Sequence, residues 1–136
     1  IPQIVGLVAF IIAGLGATHR LPFDLPEAES EIVAGYHSEY SGMKFGMFFV
    51  GEYAGVALVS VLVTVLFLGG WNGPVLPGPV WFWLKAFVMV CFFILCRATL
   101  PRPRFDQLMG WGWKILLPIT LLNIAVTGGV LLAAGK

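Results

Sequence analysis

The segment from Phe45 to Gly70 reads FGMFFVGEYAGVALVSVLVTVLFLGG, with a single carboxylate, Glu52, and no basic residue. A spanning helix needs about 20 mostly apolar residues. As a helix this run would be about 39 Å long, enough to cross a bilayer with tilt or to project from it. Similar apolar runs lie at 1–17, 80–97 and 112–134. Pro22 and Pro26, the stretch from Gly70 to Pro79, and Pro101 with Pro103 mark the breaks between them. The expected fold is an all-α membrane protein, a bundle of about four transmembrane helices in a single domain over 1–136. An ordered acidic loop at 18–44 is expected between the first and second spans.

Composition agrees with lipid as the solvent. Hydrophobic residues make up 59% of the chain and charged residues 11%, against about 25% charged in ordinary soluble domains. Mean hydropathy is +0.93. A net charge of +1 offers no basic surface for nucleic acid. The first run has no positive leader and no small-residue cleavage site, which argues against a signal peptide. A span already under way at Ile1 suggests the later part of a longer chain. Cys91 and Cys96 share one apolar run about 140° apart around a helix, which disfavours a disulfide or a shared metal site.

Orientation follows from Lys and Arg in the short loops. The loop at 98–111 carries Arg102 and Arg104, flanked by Arg97 and Lys114, whereas 71–79 carries none. The acidic loop at 18–44, with Arg20 and Lys44, falls by connectivity on the basic side, and both loops are expected to face the cytoplasm. Trp71, Trp81, Trp83, Trp111 and Trp113 lie near span ends, as interfacial anchors do. Lys85, also near an end, can snorkel outward or serve as a buried functional lysine.

Six of the seven carboxylates fall in one window: Asp24, Glu27, Glu29, Glu31, Glu39 and Glu52. Asp24 and Glu27, with Pro26 between them, match a helix-capping pattern. Capping does not require the remaining acids. On a helix Glu27 and Glu31 share a face while Glu29 points away; in an extended segment all three share a side. Crowded carboxylates raise one another's proton affinity and titrate as a coupled set. Glu52 stands apart, because an acid within a span costs about 2.5–3.5 kcal/mol at mid-depth. Gly51 and Gly55 give the spacing that lets another helix approach. Glu52 is therefore expected to face protein, neutralised by a proton or by a partner such as an arginine. A proton-path role and a purely structural buried acid both remain open for it.

Other motifs carry less. His19 and His37 are far apart, with no Glu-x-x-His spacing of the kind a bundle metal site uses, so no metal is expected. Gly-rich nucleotide fingerprints are missing. Thr120, Asn123 and Thr127 recur on the last span behind a kink expected at Pro118, as interhelical hydrogen-bonding residues would.

Two stretches are specific enough to name a family. One is Arg20-Leu-Pro-Phe-Asp-Leu-Pro-Glu-Ala-Glu-Ser-Glu-Ile-Val-Ala-Gly-Tyr36, followed by Glu39-Tyr-Ser-Gly-Met-Lys-Phe45. The other is Arg97-Ala-Thr-Leu-Pro-Arg-Pro-Arg-Phe-Asp-Gln-Leu-Met109, leading into Gly112-Trp-Lys114. The chain resembles the quinone-site membrane subunits of bacterial type-I NADH:quinone oxidoreductase, respiratory complex I. The likeness runs from about Thr18 to Asn123 and corresponds to the family's C-terminal half, the last four of eight membrane helices. His19 departs from the asparagine usual in the family.

The resemblance implies a membrane subunit that helps form the quinone chamber and links quinone reduction to proton translocation. Asp24, Glu27, Glu29, Glu31, Glu39 and Glu52 would belong to its carboxylate path. Arg20, Phe23, Lys44 and Tyr53 are the candidate chamber-lining or counter-charge residues. The chain itself would bind no cofactor and hold no catalytic redox residue. Quinone would be the substrate, with FMN and iron–sulfur clusters in partner subunits. Peripheral-arm quinone-site subunits and neighbouring membrane-arm subunits would be the partners, in the bacterial inner (plasma) membrane. The rivals are the homologous subunit of a membrane-bound hydrogenase, a stand-alone ion transporter and a purely structural anchor.

Overall fold

The computed structural model describes residues 3–18, 23, 39–74, 76–101 and 103–135. Among them every regular element is a helix. Helix α1 runs Ile4–Ala17, α2 Met43–Leu66 and α3 Gly78–Thr99. Helix α4 is one rod, Phe105–Ala133, with a π-helical stretch at Gly112–Leu116. Helices α2, α3 and α4 are long and apolar enough to cross a membrane, while α1 has 14 residues. The acidic loop expected at 18–44 lies for the most part outside the described residues.

Two helix ends differ from the apolar runs that announced them. Helix α2 stops at Leu66, ahead of Gly69 and Gly70, whose φ angles are +71° and +52°. Only glycine takes that conformation without strain, so the pair turns the chain toward α3. Helix α4 starts at Phe105, so 105–111 of the expected basic loop is helical. The Gln107 side-chain oxygen accepts the Arg104 amide at 3.4 Å, and Asp106 lies in the first turn, where negative charge suits the helix dipole.

Helices α2 and α3 form an antiparallel hairpin, and α1 lies across α2. Their shared core holds Leu15 of α1, Val56, Val59 and Val63 of α2, and Phe93 of α3. Ser60 and Thr64 are fully buried beside Val63. Each hydroxyl donates to a carbonyl of its own helix, Ser60 Oγ to Val56 O and Thr64 Oγ1 to Ser60 O, both at 2.8 Å. That bond avoids the penalty of an unpaired buried hydroxyl.

Between lipid-embedded helices the hydrophobic effect gives little drive, so close packing and polar contacts decide association. The closest approach falls at Gly14, where an added Cβ would lie 2.5 Å from Val59 Cγ1. The Gly51–Gly55 spacing is used only in part: a Cβ at Gly55 would meet the Thr18 methyl at 3.5 Å, and one at Gly51 meets nothing within 4 Å. Asn123 of α4 donates to the Gln3 side chain at 3.0 Å, beside the start of α1. Thr120 and Thr127, expected to bridge helices too, instead bond to Leu117 O and Asn123 O of α4 itself. A hydroxyl one turn from its own helix carbonyl has that acceptor always in reach.

Where a kink is expected at Pro118, the helix carries a π-helical stretch, Gly112–Leu116, just before the proline. Proline has no amide hydrogen, and its ring crowds the carbonyl four residues back. The wider turn accommodates this, with the Leu117 amide bonding Gly112 O. Many large apolar side chains face outward, and no residue of the α4 spanning window is buried within the chain. Trp71, Trp83, Trp111 and Trp113 are exposed, whereas Trp81 packs against Gly73.

Candidate functional site: an acid and an arginine between two helices

Glu52 lies about 14 Å along α2 from Met43 and turns inward, its side chain only 8% exposed. Arg97, in the last turn of α3, places Nη1 3.9 Å from Glu52 Oε1 with its own side chain 29% exposed. That is a charge contact rather than a direct hydrogen bond. At about 4 Å and an effective dielectric near 20, the gross attraction is about 4 kcal/mol. Desolvating the two groups offsets much of it. The pair therefore explains how an acid can sit inside an apolar hairpin without making the hairpin unusually stable.

The other candidates are distributed around this pair. Glu39 is exposed, in the turn leading to α2, and Lys44 is exposed in the first turn of that helix. Eight residues, about 12 Å along the axis, separate Lys44 from Glu52, and the counter-charge seen at Glu52 is Arg97 instead. Tyr53 is 52% exposed, so it projects away from the side on which Glu52 is covered. Phe23 is half-buried against the core cluster and lies near Gly16 of α1. Asp24, Glu27, Glu29, Glu31 and Arg20 lie outside the described residues, as do His19 and His37.

Aromatic rings line the same end of α2. Phe45 and Phe49 meet edge-on at 4.9 Å, and Tyr40 tilts against Phe48 at 5.2 Å. Among the described residues no three His, Cys, Asp or Glu side chains come together as a metal site would require. Cys91 and Cys96 are both free.

Arg97 is the residue that sequence reasoning missed, because a span ending at 97 puts it in the following loop. Its signal was there: antiparallel pairing of successive spans sets a residue late in α3 against one early in α2. Lys85, expected to snorkel outward or to serve as a buried functional lysine, donates to Leu68 O at 2.6 Å, Gly70 O at 3.2 Å and Asn72 O at 2.7 Å, all in the turn after α2.

Apolar helices of spanning length, carrying an acid and an arginine that meet inside their hairpin, define an all-helical integral membrane protein. The chain belongs to the NADH dehydrogenase family, whose sequence model matches residues 1–128. It is 60% identical over 131 residues to the H-type subunit of the NADH-quinone oxidoreductase of Methylococcus capsulatus, a match covering 96% of this chain. The chain spans about two fifths of that relative's length, 42%.

Proposed function

We propose that this chain serves as part of the membrane subunit of a proton-translocating NADH:quinone oxidoreductase, forming one side of the quinone chamber and coupling quinone reduction to charge movement. The observation that carries the reading is the Glu52–Arg97 pair inside the α2–α3 hairpin, in a chain so similar to a subunit of that enzyme. The relative's name favours the quinone enzyme over a hydrogenase subunit or a lone transporter.

In this reading Arg20, Phe23, Lys44 and Tyr53 line the chamber or balance its charge. Asp24, Glu27, Glu29, Glu31 and Glu39 lead from it to Glu52. Negative charge arriving on quinone raises the proton affinity of nearby acids, and a proton taken up there shifts the balance at the next carboxylate. Arg97 supplies a fixed positive charge at the inner end of the series. The helices act as one membrane domain in the bacterial plasma membrane, with 18–44 and 98–111 on the cytoplasmic side. Peripheral-arm and membrane-arm subunits are the partners, and the electron carriers, FMN and iron–sulfur clusters, belong to those partners.

The test is substitution in the assembled complex, with assembly checked and both NADH:quinone turnover and proton pumping measured. Glu52→Gln, Glu31→Gln and Arg97→Gln are each expected to lower turnover and pumping severalfold. Wild-type rates and pumping in all three would remove the carboxylate path.

A further inference from the structure

The two basic residues of α3 make different contacts with the other arm of the hairpin, Arg97 with Glu52 within α2 and Lys85 with the turn that follows α2. Arg97 reaches one carboxylate at 3.9 Å. Lys85 is clamped: its three donors are matched by three backbone carbonyls, those of Leu68, Gly70 and Asn72, at 2.6–3.2 Å. The carbonyls belong to the turn that Gly69 and Gly70 form with positive φ. Trp81 adds its ring face 5.9 Å from the ammonium, within the range of cation–π attraction.

From this geometry we infer that Lys85 is a positioning residue, locking the axial register of α3 on α2 so that Arg97 is delivered to Glu52. The inference rests on the functional reading of Glu52 given above. Between the two basic residues the helices meet through apolar side chains, Val56, Val59 and Val63 against Phe93, with Met89 and Val90 beside them. Such ridges admit more than one seating, and packed helices can shift by a whole turn, about 5.4 Å. A slide of that size would part Glu52 from Arg97, which already stand 3.9 Å apart. Backbone carbonyls in a glycine turn cannot follow a sliding helix, so an ammonium held by three of them excludes the alternative seatings. Arg97 lies twelve residues further along the same helix, about 18 Å, and inherits the depth that Lys85 sets.

Lys85→Met, Lys85→Arg, Arg97→Gln and the Lys85→Met/Arg97→Gln double variant should be compared in the assembled complex for turnover and pumping. Lys85→Met is expected to lower both severalfold, and Lys85→Arg, which keeps charged donors, to restore most of the loss. In the Arg97→Gln background Lys85→Met should add no further loss, since groups acting through one contact are non-additive. Should Lys85→Met fail to assemble, Lys85→Gln, which keeps two donors, is read the same way. Wild-type turnover in the lysine variants, or losses that multiply with that of Arg97→Gln, would overturn the inference and leave the role of Glu52 standing. Wild-type behaviour of Arg97→Gln would instead strike at the functional reading itself.

Discussion

Glu52 is a carboxylate in an apolar helix, and the residue opposite it decides what it can do. With Arg97 at 3.9 Å the charge is balanced by a guanidinium, which stays protonated under all ordinary conditions. Arg97→Lys is expected to retain more turnover than Arg97→Gln, because an ammonium preserves the positive charge although it loses the planar fork. Comparing turnover of the two assembled variants checks this. A different single position controls packing. The Gly14 Cα faces Val59 closely enough that an added methyl would sit 2.5 Å from a Val59 carbon. Gly14→Ala should therefore destabilise the α1–α2 contact by about 1–3 kcal/mol, the usual cost of overpacking. It would be read as a lower thermal midpoint of the purified complex.

At the scale of elements, the apolar runs made the helices legible, because twenty residues without charge have few other uses. Their ends were less so. The turn at Gly69–Gly70 belongs to the apolar run by composition and leaves the helix by conformation, while 105–111, directly behind the prolines and arginines of 101–104, reads as part of that loop yet starts α4. The acid at 52 was legible as an inward-facing group. Arg97 and the Lys85 clamp were not, since each depends on how two helices sit against each other, which neither run encodes alone. The π-helical stretch ahead of Pro118 is a further case. Such a stretch amounts to one extra residue in a turn. Deleting Ile115 should therefore leave the flanking segments in phase. Deleting Leu121 would rotate all that follows by about 100° and part Asn123 from Gln3. Complex assembly in membranes, normal for the first and impaired for the second, is the measurement.

Among the described residues large apolar side chains face outward on every helix, and α4 has no buried residue in its spanning window. By the positive-inside rule the basic stretch after α3 is expected on the cytoplasmic side and the charge-poor turn after α2 on the opposite one. Ser41→Cys is expected to react with a membrane-impermeant maleimide only in inverted vesicles, and Asn72→Cys only in intact cells with a permeable outer envelope. Labelling of both from one side would reverse the topology. The hairpin between those two sides has a property that follows from its two hydroxyls. Ser60 and Thr64 have turned their hydrogens onto their own helix, and Val63 and Phe93 are buried in the same core. A chain of hydroxyls aimed along the interface would be a wire; these are capped at every link. Around Ser60 and Thr64 the α2–α3 seam therefore offers no hydroxyl relay along the interface. In the proton-translocating role proposed above, a seam without such a relay would keep protons from leaking between these two helices.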